Sequence, residues 1–519
     1  MRAVAVALAL GLAYGIQPSN RTIKCADLIG SSFRPEAKIV SASLVPAAGG
    51  MPEYCDVRGT IAPEVTFAIK LPTTWNRRFY MVGNGGLAGT INFAAMDVAL
   101  RRGFATAGTD TGHHGAPGSD DGATRQDATF ARPGPDNPNA ARKVTDFLYE
   151  AVHETAVLGK EILKTFYGVA PRYSYWAGCS TGGRQGLIEA QRFPEDFDGY
   201  VVGAPVLDFG TIWRHVWNAR AQTGPGAIAV EKLPLLADAV YKKCDAIDGL
   251  KDGLIGDPRN CTFDPAADLP KCPANGDGPS CFTSGQTEAL KKIYTGVRDS
   301  SGRLLFPGQP FGAEVLAPAG DGTTRSGWNG TIAGESVGLT LAQSYMKYLA
   351  FDPSAGPTWD YRSVNFDVDP AKTKTFAAAF NATDPDLTAV RRRGGRIIHY
   401  HGWADPSATA LMSIDYYESV RGKMGAGTTP EFYRLFLIPG MFHCGGGVGC
   451  DSVDWLTAIV DWVEKGVAPD RLTSARLQSG AISRTRPLCP YPAMATYNGN
   501  GSIDAAENFT CRMPTATRR

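Results

Sequence analysis

The sequence has almost no excess of charge of either sign. Its 52 lysines and arginines are balanced by 51 aspartates and glutamates, which gives a formal net charge of +1. A protein that binds nucleic acid or an acidic membrane through surface charge usually carries a basic excess or a basic stripe. We therefore expect neither nucleic acid nor a membrane among the partners of this chain.

Long apolar runs are also missing. After residue 15, no stretch approaches the roughly eighteen consecutive apolar residues that a membrane-spanning helix needs. Residues 1–15 (MRAVAVALALGLAYG) place one arginine before an apolar run that ends in small residues. This order is typical of a secretory signal peptide, and the segment is too short to span a bilayer. The sequence predicts a signal peptide over residues 1–15 and a secreted protein, extracellular or periplasmic; the alternative is a buried N-terminal helix.

Histidine is scarce, with 7 residues in 519, whereas cysteine is more frequent, with 11. Disulfide bonds persist in oxidising compartments, so the cysteine content agrees with export. Eight cysteines form neighbouring pairs that would each close a short loop: Cys25 with Cys55, Cys244 with Cys261, Cys272 with Cys281, and Cys489 with Cys511. The cysteines left over are Cys179, Cys444 and Cys450.

The clearest functional motif lies within residues 173–193. A β-favouring run (YSYW) is followed by the tight turn GCSTG and then, from Gly183 to Phe193, by the apolar spacing of a helix. A serine at the centre of G-x-S-x-G between a strand and a helix is the nucleophile elbow of an α/β-hydrolase. The pattern alone is weak in a chain with 60 glycines, and an ordinary glycine-rich turn is the alternative. The flanking strand and helix favour Ser180 as a nucleophile.

A serine nucleophile needs a base that takes its proton and an acid that orients the base. In α/β-hydrolases these residues follow in the order Ser, Asp, His, each after a strand. The segment RIIHYHGWADP is a predicted strand with Asp405 in the loop after it, and EFYRLFLIPGMFHC is a strand followed by His443. The sequence thus predicts the triad Ser180, Asp405 and His443. His399 and His401 fall within or at the end of a strand and are expected to be structural.

A second glycine turn, GNGG at residues 83–86, directly follows the predicted strand RFYMV. In a hydrolase sheet such a turn can offer a backbone N–H to an oxyanion, together with the amide that follows the nucleophile. The candidate donors are Gly86, or alternatively Gly85, and Thr181. A plain tight turn is the other interpretation.

The composition and the periodicity of the sequence change between residues 206 and 390. This segment has little β periodicity, many glycine, proline and aspartate residues, and scattered aromatic residues. We expect an α/β-hydrolase fold with a large inserted lid domain. The catalytic domain is predicted over residues 16–205 and 391–519, and the lid over 206–390. The lid aromatics would form either its core or part of a substrate pocket.

Cys179 directly precedes Ser180, and Cys444 directly follows His443. A disulfide between these cysteines would hold the nucleophile and the base in neighbouring positions. The alternatives are two free thiols, or a bond between Cys444 and the nearby Cys450. The adjacency to both candidate residues favours the long-range bridge, which leaves Cys450 unpaired.

The segments GCSTGGRQG, HGWAD and FHC together resemble the tannase and feruloyl esterase family of α/β-hydrolases, whose mark is Cys-Ser, Asp and His-Cys with the two cysteines bridged. The resemblance covers essentially the whole mature chain and is more specific than G-x-S-x-G alone. It implies that Ser180 is the nucleophile, Asp405 the orienting acid and His443 the general base. It also implies an oxyanion hole formed by the amides of Thr181 and Gly86.

The resemblance further implies an activity and a class of substrate. We expect a secreted serine carboxylic-ester hydrolase that forms an acyl-enzyme with hydroxycinnamoyl or galloyl esters, either small or carried on a plant polymer. Feruloyl esterase is the first expectation. A tannase and a mono(hydroxyethyl) terephthalate hydrolase are the alternatives within the family.

Residues 244–257 (CDAIDGLKDGLIGD) place several carboxylates in a short loop that contains glycines. Calcium takes six to eight oxygen ligands, but the spacing is not that of an EF-hand, and a solvated acidic turn is the alternative. Family members resemble this loop and bind calcium there. The ligands implied by the resemblance are the carboxylates of Asp245, Asp248 and Asp252 and the carbonyls of Leu250 and Leu254. The expected Ca²⁺ is structural and lies in the lid, and no organic cofactor is expected.

Two other classes of protein share parts of this pattern. An exported serine peptidase would have the same triad but would cleave peptides. A non-catalytic, calcium-dependent binding protein would keep the acidic loop and would need no triad. The complete set of serine, aspartate and histidine argues against the binding protein.

Overall fold

The computed structural model describes residues 23–34, 36–114, 126–274, 276–318, 324–334 and 336–514. The predicted signal peptide lies outside these residues. Among the described residues, no helix combines the length and the apolar character needed to cross a bilayer.

The strands fall into one large sheet and four small antiparallel pairs. In chain order they are β1 (Ala37–Val45), β2 (Tyr54–Ile61), β3 (Val65–Pro72), β4 (Arg78–Val82), β5 (Ala105–Thr109), β6 (Tyr173–Cys179), β7 (Gly199–Gly203), β8 (Val297–Arg298), β9 (Leu304–Phe306), β10 (Leu316–Pro318), β11 (Thr324–Ser326), β12 (Arg396–Gly402), β13 (Tyr433–Ile438), β14 (Leu472–Gln478), β15 (Ala481–Leu488), β16 (Met494–Tyr497) and β17 (Phe509–Arg512).

The helices cover the large sheet and are the main regular elements of the segment between β7 and β12. They are α1 (Phe93–Leu100), α2 (Ala140–Thr145), α3 (Ala151–Tyr167), α4 (Thr181–Arg192), α5 (Gly210–Ala221), α6 (Leu233–Cys244), α7 (Pro265–Asp268), α8 (Ser284–Thr295), α9 (Val337–Tyr348), α10 (Asp369–Lys372), α11 (Lys374–Phe380), α12 (Thr388–Arg392), α13 (Ala410–Met424) and α14 (Trp455–Lys465).

The large sheet has nine strands in the order β1-β2-β3-β5-β4-β6-β7-β12-β13. The strands β1, β2, β3 and β5 pair antiparallel. From β5 onward every pair is parallel. Because parallel strands end at the same edge, the loops after β4, β6, β12 and β13 meet there, and ligands bind at this edge in open α/β sheets.

The burial of each strand follows from its place in the sheet. In β2, near the antiparallel edge, buried and less buried residues alternate. In β5 and β7 every residue is buried, because helices cover both faces of the parallel part. One apolar core joins the sheet to α3, α4 and α13, and a second joins the opposite face to α1 and α14. This arrangement is the α/β fold that the sequence predicts.

The predicted elements differ from the structure in their details. The alternating segments VTFAIKLP and RFYMV predict strands of a hairpin-rich sheet edge; they form β3 and β4, but β5 lies between them, so they do not pair with each other. The apolar spacing of residues 139–167 predicts one long helix, but the structure has a π-helical turn in this segment, between α2 and α3. Helix α4 begins at Thr181 and not at Gly183, because the whole change of chain direction occurs at Ser180.

No strand of the nine-stranded sheet comes from the described residues between β7 and β12. One core of this inserted segment packs α6 and α8 around Trp328, and it also contains Ala404 and Phe442. Those two residues lie in the loops after β12 and β13. The insert therefore packs directly against the loops that carry Asp405 and His443. The boundaries of a separate lid domain at 206 and 390 stay a prediction.

All five predicted disulfides are present. They join Cys25 to Cys55, Cys179 to Cys444, Cys244 to Cys261, Cys272 to Cys281, and Cys489 to Cys511. Cys450 is buried and has no disulfide partner. The alternative bond between Cys444 and Cys450 does not form.

Candidate active site

Ser180 lies in a strained turn between β6 and α4. Its backbone has φ 63° and ψ −122°, a left-handed conformation that L-residues other than glycine rarely adopt. The glycines around it allow the close approach that this turn requires. A Cβ on Gly178 would lie 2.5 Å from the carbonyl oxygen of Gly182, and one on Gly183 would lie 2.4 Å from that of Gly203. The local geometry is that of a nucleophile elbow.

Asp405 is fully buried in the loop after β12. The amides of Ser407 and Ala408 donate to its Oδ1 at 2.7 and 2.9 Å. Its Oδ2 lies 2.7 Å from Nδ1 of His443 and 3.2 Å from Nε2 of His401. Both carboxylate oxygens are therefore held in place, and one of them is directed at the predicted base.

Two opposing effects act on the pKa of Asp405. Burial raises this pKa, whereas the neighbouring His443 and His401 lower it. The effect of the two histidines is the larger, so the pKa of Asp405 lies below its ordinary value. The carboxyl group therefore stays ionised at neutral pH despite its burial. An ionised carboxylate at Nδ1 keeps that nitrogen protonated, which leaves Nε2 of His443 free to accept a proton.

The disulfide between Cys179 and Cys444 brings the loop after β13 to the elbow. The two Cα atoms are 5.9 Å apart although 265 residues separate them in the chain. Since these cysteines flank Ser180 and His443, the bridge fixes both residues at the same edge of the sheet. Ser180 and His443, which the structure describes, are not hydrogen-bonded to each other. Such bonds are often long in free enzymes and shorten when substrate binds.

The glycine turn after β4 packs against the elbow. The Gly182 amide donates to the carbonyl of Asn84 at 2.8 Å, and the Thr181 hydroxyl donates to the carbonyl of Gly86. The backbone N–H groups of Gly86 and Thr181 donate no hydrogen bond to any described residue. Two amides without an acceptor thus lie close to Ser180, at the place where an oxyanion hole was predicted.

Two buried residues of the inserted segment, Arg214 and Gln309, hydrogen-bond to the loop that carries Asp405, and the sequence analysis did not predict these contacts. Arg214 of α5 donates to the side chain of Gln309 and to the carbonyl of Ser407. Gln309 in turn donates to the Asp405 carbonyl at 2.6 Å. Burial lowers the pKa of Arg214 to about 10, and the nearby Asp405 carboxylate opposes that shift. No local pattern predicts these contacts, because they join segments about 100 residues apart or more.

Two buried histidines lie near the proposed triad, and the sequence analysis indicated neither of these placements. His401 is fully buried and contacts both the Asp405 carboxylate and the hydroxyl of Ser413. His215 follows Arg214 on α5, and its burial, with the charges of Arg214 and His443, lowers its pKa to about 3. His401 could have been recognised from its position four residues before Asp405, whereas His215 had no signal.

The acidic loop after α6 places Asp245, Asp248 and Asp252 in one turn, although their carboxylate oxygens do not all lie within 4.8 Å of one another. The amides of Asp252 and Gly253 donate to Oδ1 of Asp245 at 3.2 and 2.9 Å. Burial raises the pKa of Asp248 to about 6, and the charges of Asp252 and Asp245 add to that shift. A cation would relieve this repulsion, and an all-oxygen donor set suits calcium. Arg486 of β15 already pairs with Asp252 and supplies part of the positive charge.

Comparison with known proteins places the chain in a family. The family model described as tannase and feruloyl esterase matches residues 49–512. An uncharacterized esterase of Xanthomonas campestris pv. campestris is 35% identical, over 95% of this chain and 92% of its own length. The mono(2-hydroxyethyl) terephthalate hydrolase of Piscinibacter sakaiensis is 34% identical, over 90% of this chain and 86% of its own.

Among solved structures, feruloyl esterase B from Aspergillus oryzae superposes with a TM-score of 0.81 at 27% identity, over 94% of this chain and 100% of that one. The fold and these relatives define the protein as a carboxylic ester hydrolase with an α/β-hydrolase fold. The chain belongs to the tannase and feruloyl esterase family.

Proposed function

We propose that this protein is a secreted serine esterase that cleaves aromatic esters, and that it acts as a feruloyl esterase. The observation that carries the proposal is the pairing of His443 with the buried Asp405, at 2.7 Å, beside a serine held in an elbow. The disulfide that ties the two loops together supports the same assignment.

In the proposed mechanism, Ser180 Oγ attacks the ester carbonyl while Nε2 of His443 takes its proton. The carbonyl oxygen becomes an oxyanion, which the amides of Thr181 and Gly86 stabilise. The C–O bond to the alcohol then breaks, and the alcohol leaves with the proton from His443. A water molecule gives its proton to His443 and attacks the acyl-enzyme, and the acid is released as Ser180 regains its proton.

The acyl group is proposed to be a hydroxycinnamate, with a hydroxybenzoate such as gallate as the neighbouring choice. Support for ferulate comes from the structural similarity to feruloyl esterase B from Aspergillus oryzae. A second candidate is hydrolysis of mono(2-hydroxyethyl) terephthalate. The relative of that name from Piscinibacter sakaiensis, at 34% identity, favours it.

Export and a structural calcium ion belong to the same proposal. Five disulfides are compatible with folding in an oxidising compartment. The carboxylates of Asp245, Asp248 and Asp252 would hold the calcium ion. Because these residues belong to the inserted segment, the ion would stabilise the fold and would take no part in ester cleavage.

The test is hydrolysis of methyl ferulate, methyl gallate and mono(2-hydroxyethyl) terephthalate by the calcium-loaded protein. We expect turnover of methyl ferulate that is lost in Ser180→Ala and kept in Ser43→Ala, which changes an exposed serine of β1. Preferred turnover of the terephthalate ester would instead select the second candidate. If the folded protein cleaved none of the three esters, the aromatic-ester proposal would be wrong.

A further inference from the structure

A buried cluster of three potential metal ligands lies away from the proposed triad. His153 belongs to α3, Glu189 to the last turns of α4, and Asp196 to the loop before β7. One ligand atom from each residue lies within 4.8 Å of the others, and no other group of three histidine, cysteine or acidic residues in the described part of the chain meets this distance. Glu189 is eight residues after Thr181, the first residue of α4, which corresponds to about 12 Å along the helix.

Glu189 is fully buried beside a second carboxyl group, that of Asp196, and both burial and this neighbour raise its pKa, whereas Lys160 opposes the shift. The side chain of Glu189 is 0% exposed, and apart from a proton that it can share with Asp196, neither carboxylate oxygen has a hydrogen-bond partner among the described residues. Buried polar groups are almost always paired, and an unpaired buried carboxylate is costly. The hydroxyl of Tyr200, also buried, has no partner either. A positively charged group could therefore bind to the carboxylate of Glu189.

The other two residues are already oriented. Nδ1 of His153 lies 2.6 Å from Oδ2 of Asp196, and the imidazole ring stacks on Phe193 with the centroids 3.9 Å apart. Lys160 donates to Oδ1 of Asp196 at 3.2 Å. The ring stacking and the lysine act as outer supports of the kind that orient metal ligands. The side chain of His153 is 26% exposed, so an ion can enter from solvent.

We propose that His153, Glu189 and Asp196 form a binding site for a divalent transition-metal ion, of which Zn²⁺ is the best match. One imidazole nitrogen and two carboxylates are donors that zinc accepts, and three protein ligands leave a fourth position for water. The ion would replace the proton between His153 and Asp196, and their 2.6 Å separation would open to about 3 Å to admit it. It would also neutralise both carboxylates and join α3 to α4.

The experiment is a Zn²⁺ titration of the full-length protein in excess Ca²⁺, which keeps the acidic loop after α6 saturated. Isothermal titration calorimetry should show one Zn²⁺ per chain. Glu189→Gln and His153→Gln should each weaken its affinity at least about tenfold, the loss that even outer-shell changes cause. Glu195→Gln, at an exposed acid one residue before Asp196, should leave the affinity unchanged. Co²⁺ in place of zinc should give a visible absorption band that His153→Gln removes.

Two results would overturn this proposal. If the folded protein takes up no Zn²⁺, Glu189 and Asp196 are a carboxyl pair that shares a proton. If Glu189→Gln and His153→Gln bind Zn²⁺ as tightly as the parent, the ion lies elsewhere. Thermal melts of each variant verify that it is folded before the titration.

Discussion

The bridge between Cys179 and Cys444 offers the sharpest test of how this site is held together. Replacing both cysteines with alanine removes a cross-link that spans 265 residues. In the chain-entropy model this lowers the free energy of unfolding by about 5.5 kcal/mol. The same model gives about 2.5 kcal/mol for the bridge between Cys272 and Cys281, which spans 9 residues. The two double variants should therefore differ by about 3 kcal/mol.

The two double variants should also differ in kcat/KM. Only the long bridge joins the loops of Ser180 and His443, so its loss lets these residues move apart. A displacement of 1 Å at a reacting centre can cost about a hundredfold in rate, and we expect kcat/KM to fall by about that factor. The Cys272→Ala, Cys281→Ala variant should keep the kcat/KM of the parent.

The measurements are urea unfolding followed by circular dichroism, and ester hydrolysis in the absence of denaturant. Two shorter bridges lie inside the 265-residue span, but the entropy depends on the logarithm of the loop length and changes little. If removal of the long bridge costs no more than removal of the short one, and kcat/KM is unchanged, the bridge neither stabilises the fold nor positions the triad.

Three further outcomes are expected. Gly183→Ala should lower the free energy of unfolding by about 3 kcal/mol in urea melts, because the added Cβ would meet a backbone oxygen. The control Gly422→Ala, in open space on α13, should raise the free energy of unfolding by about 0.8 kcal/mol. Similar effects of the two substitutions would refute the clash at Gly183. Burial raises the pKa of Glu314 to about 7. The folded state then keeps a proton that the unfolded chain releases near pH 4, so this group alone should lower the free energy of unfolding by about 3 kcal/mol from about pH 4 to 7. In melts across that range, Glu314→Gln should reduce the fall by about that amount; the fall that remains comes from other buried acids such as Asp146, whose pKa burial also raises to about 7. An unchanged fall in the variant would contradict the assignment. In zinc-free protein, removing Ca²⁺ with EDTA should lower the Tm of the parent and of Asp238→Asn, an exposed control, but should not lower the Tm of Asp248→Asn. An equal response of all three proteins would exclude the acidic loop as the calcium site.

Local patterns were sufficient for much of the fold. The strands β4, β7, β12 and β13 and the strand, turn and helix around the elbow follow from β-favouring runs that end in glycine turns, and β3 follows from its β-favouring run alone. The pairing of β3 with β5 did not follow, because strand order depends on contacts between segments distant in the chain. The early start of α4 was missed as well, since it depends on one positive φ at Ser180.

Local patterns likewise predict some residues of the candidate site and not others. Ser180, Asp405 and His443 each follow a strand in a recognisable segment, and the motif cysteines mark two of them. The support from Arg214 and Gln309 comes from the inserted segment, where no periodicity indicates which side chain points toward the acid. The unpaired Glu189 was equally invisible, because in the sequence it is an ordinary residue of an amphipathic helix.

The sequence by itself determined the family and the order of the proposed triad residues, and it favoured the bridge between Cys179 and Cys444 over its alternatives. These features depend on residue type and on short spacings, which the chain carries before it folds. Only the tertiary structure decided which polar groups are buried together: Asp405 with two histidines, Arg214 with Gln309, and Glu189 with Asp196. Burial and distance set the pKa and the partners of a charged group, and both arise only when segments far apart in the chain pack against one another.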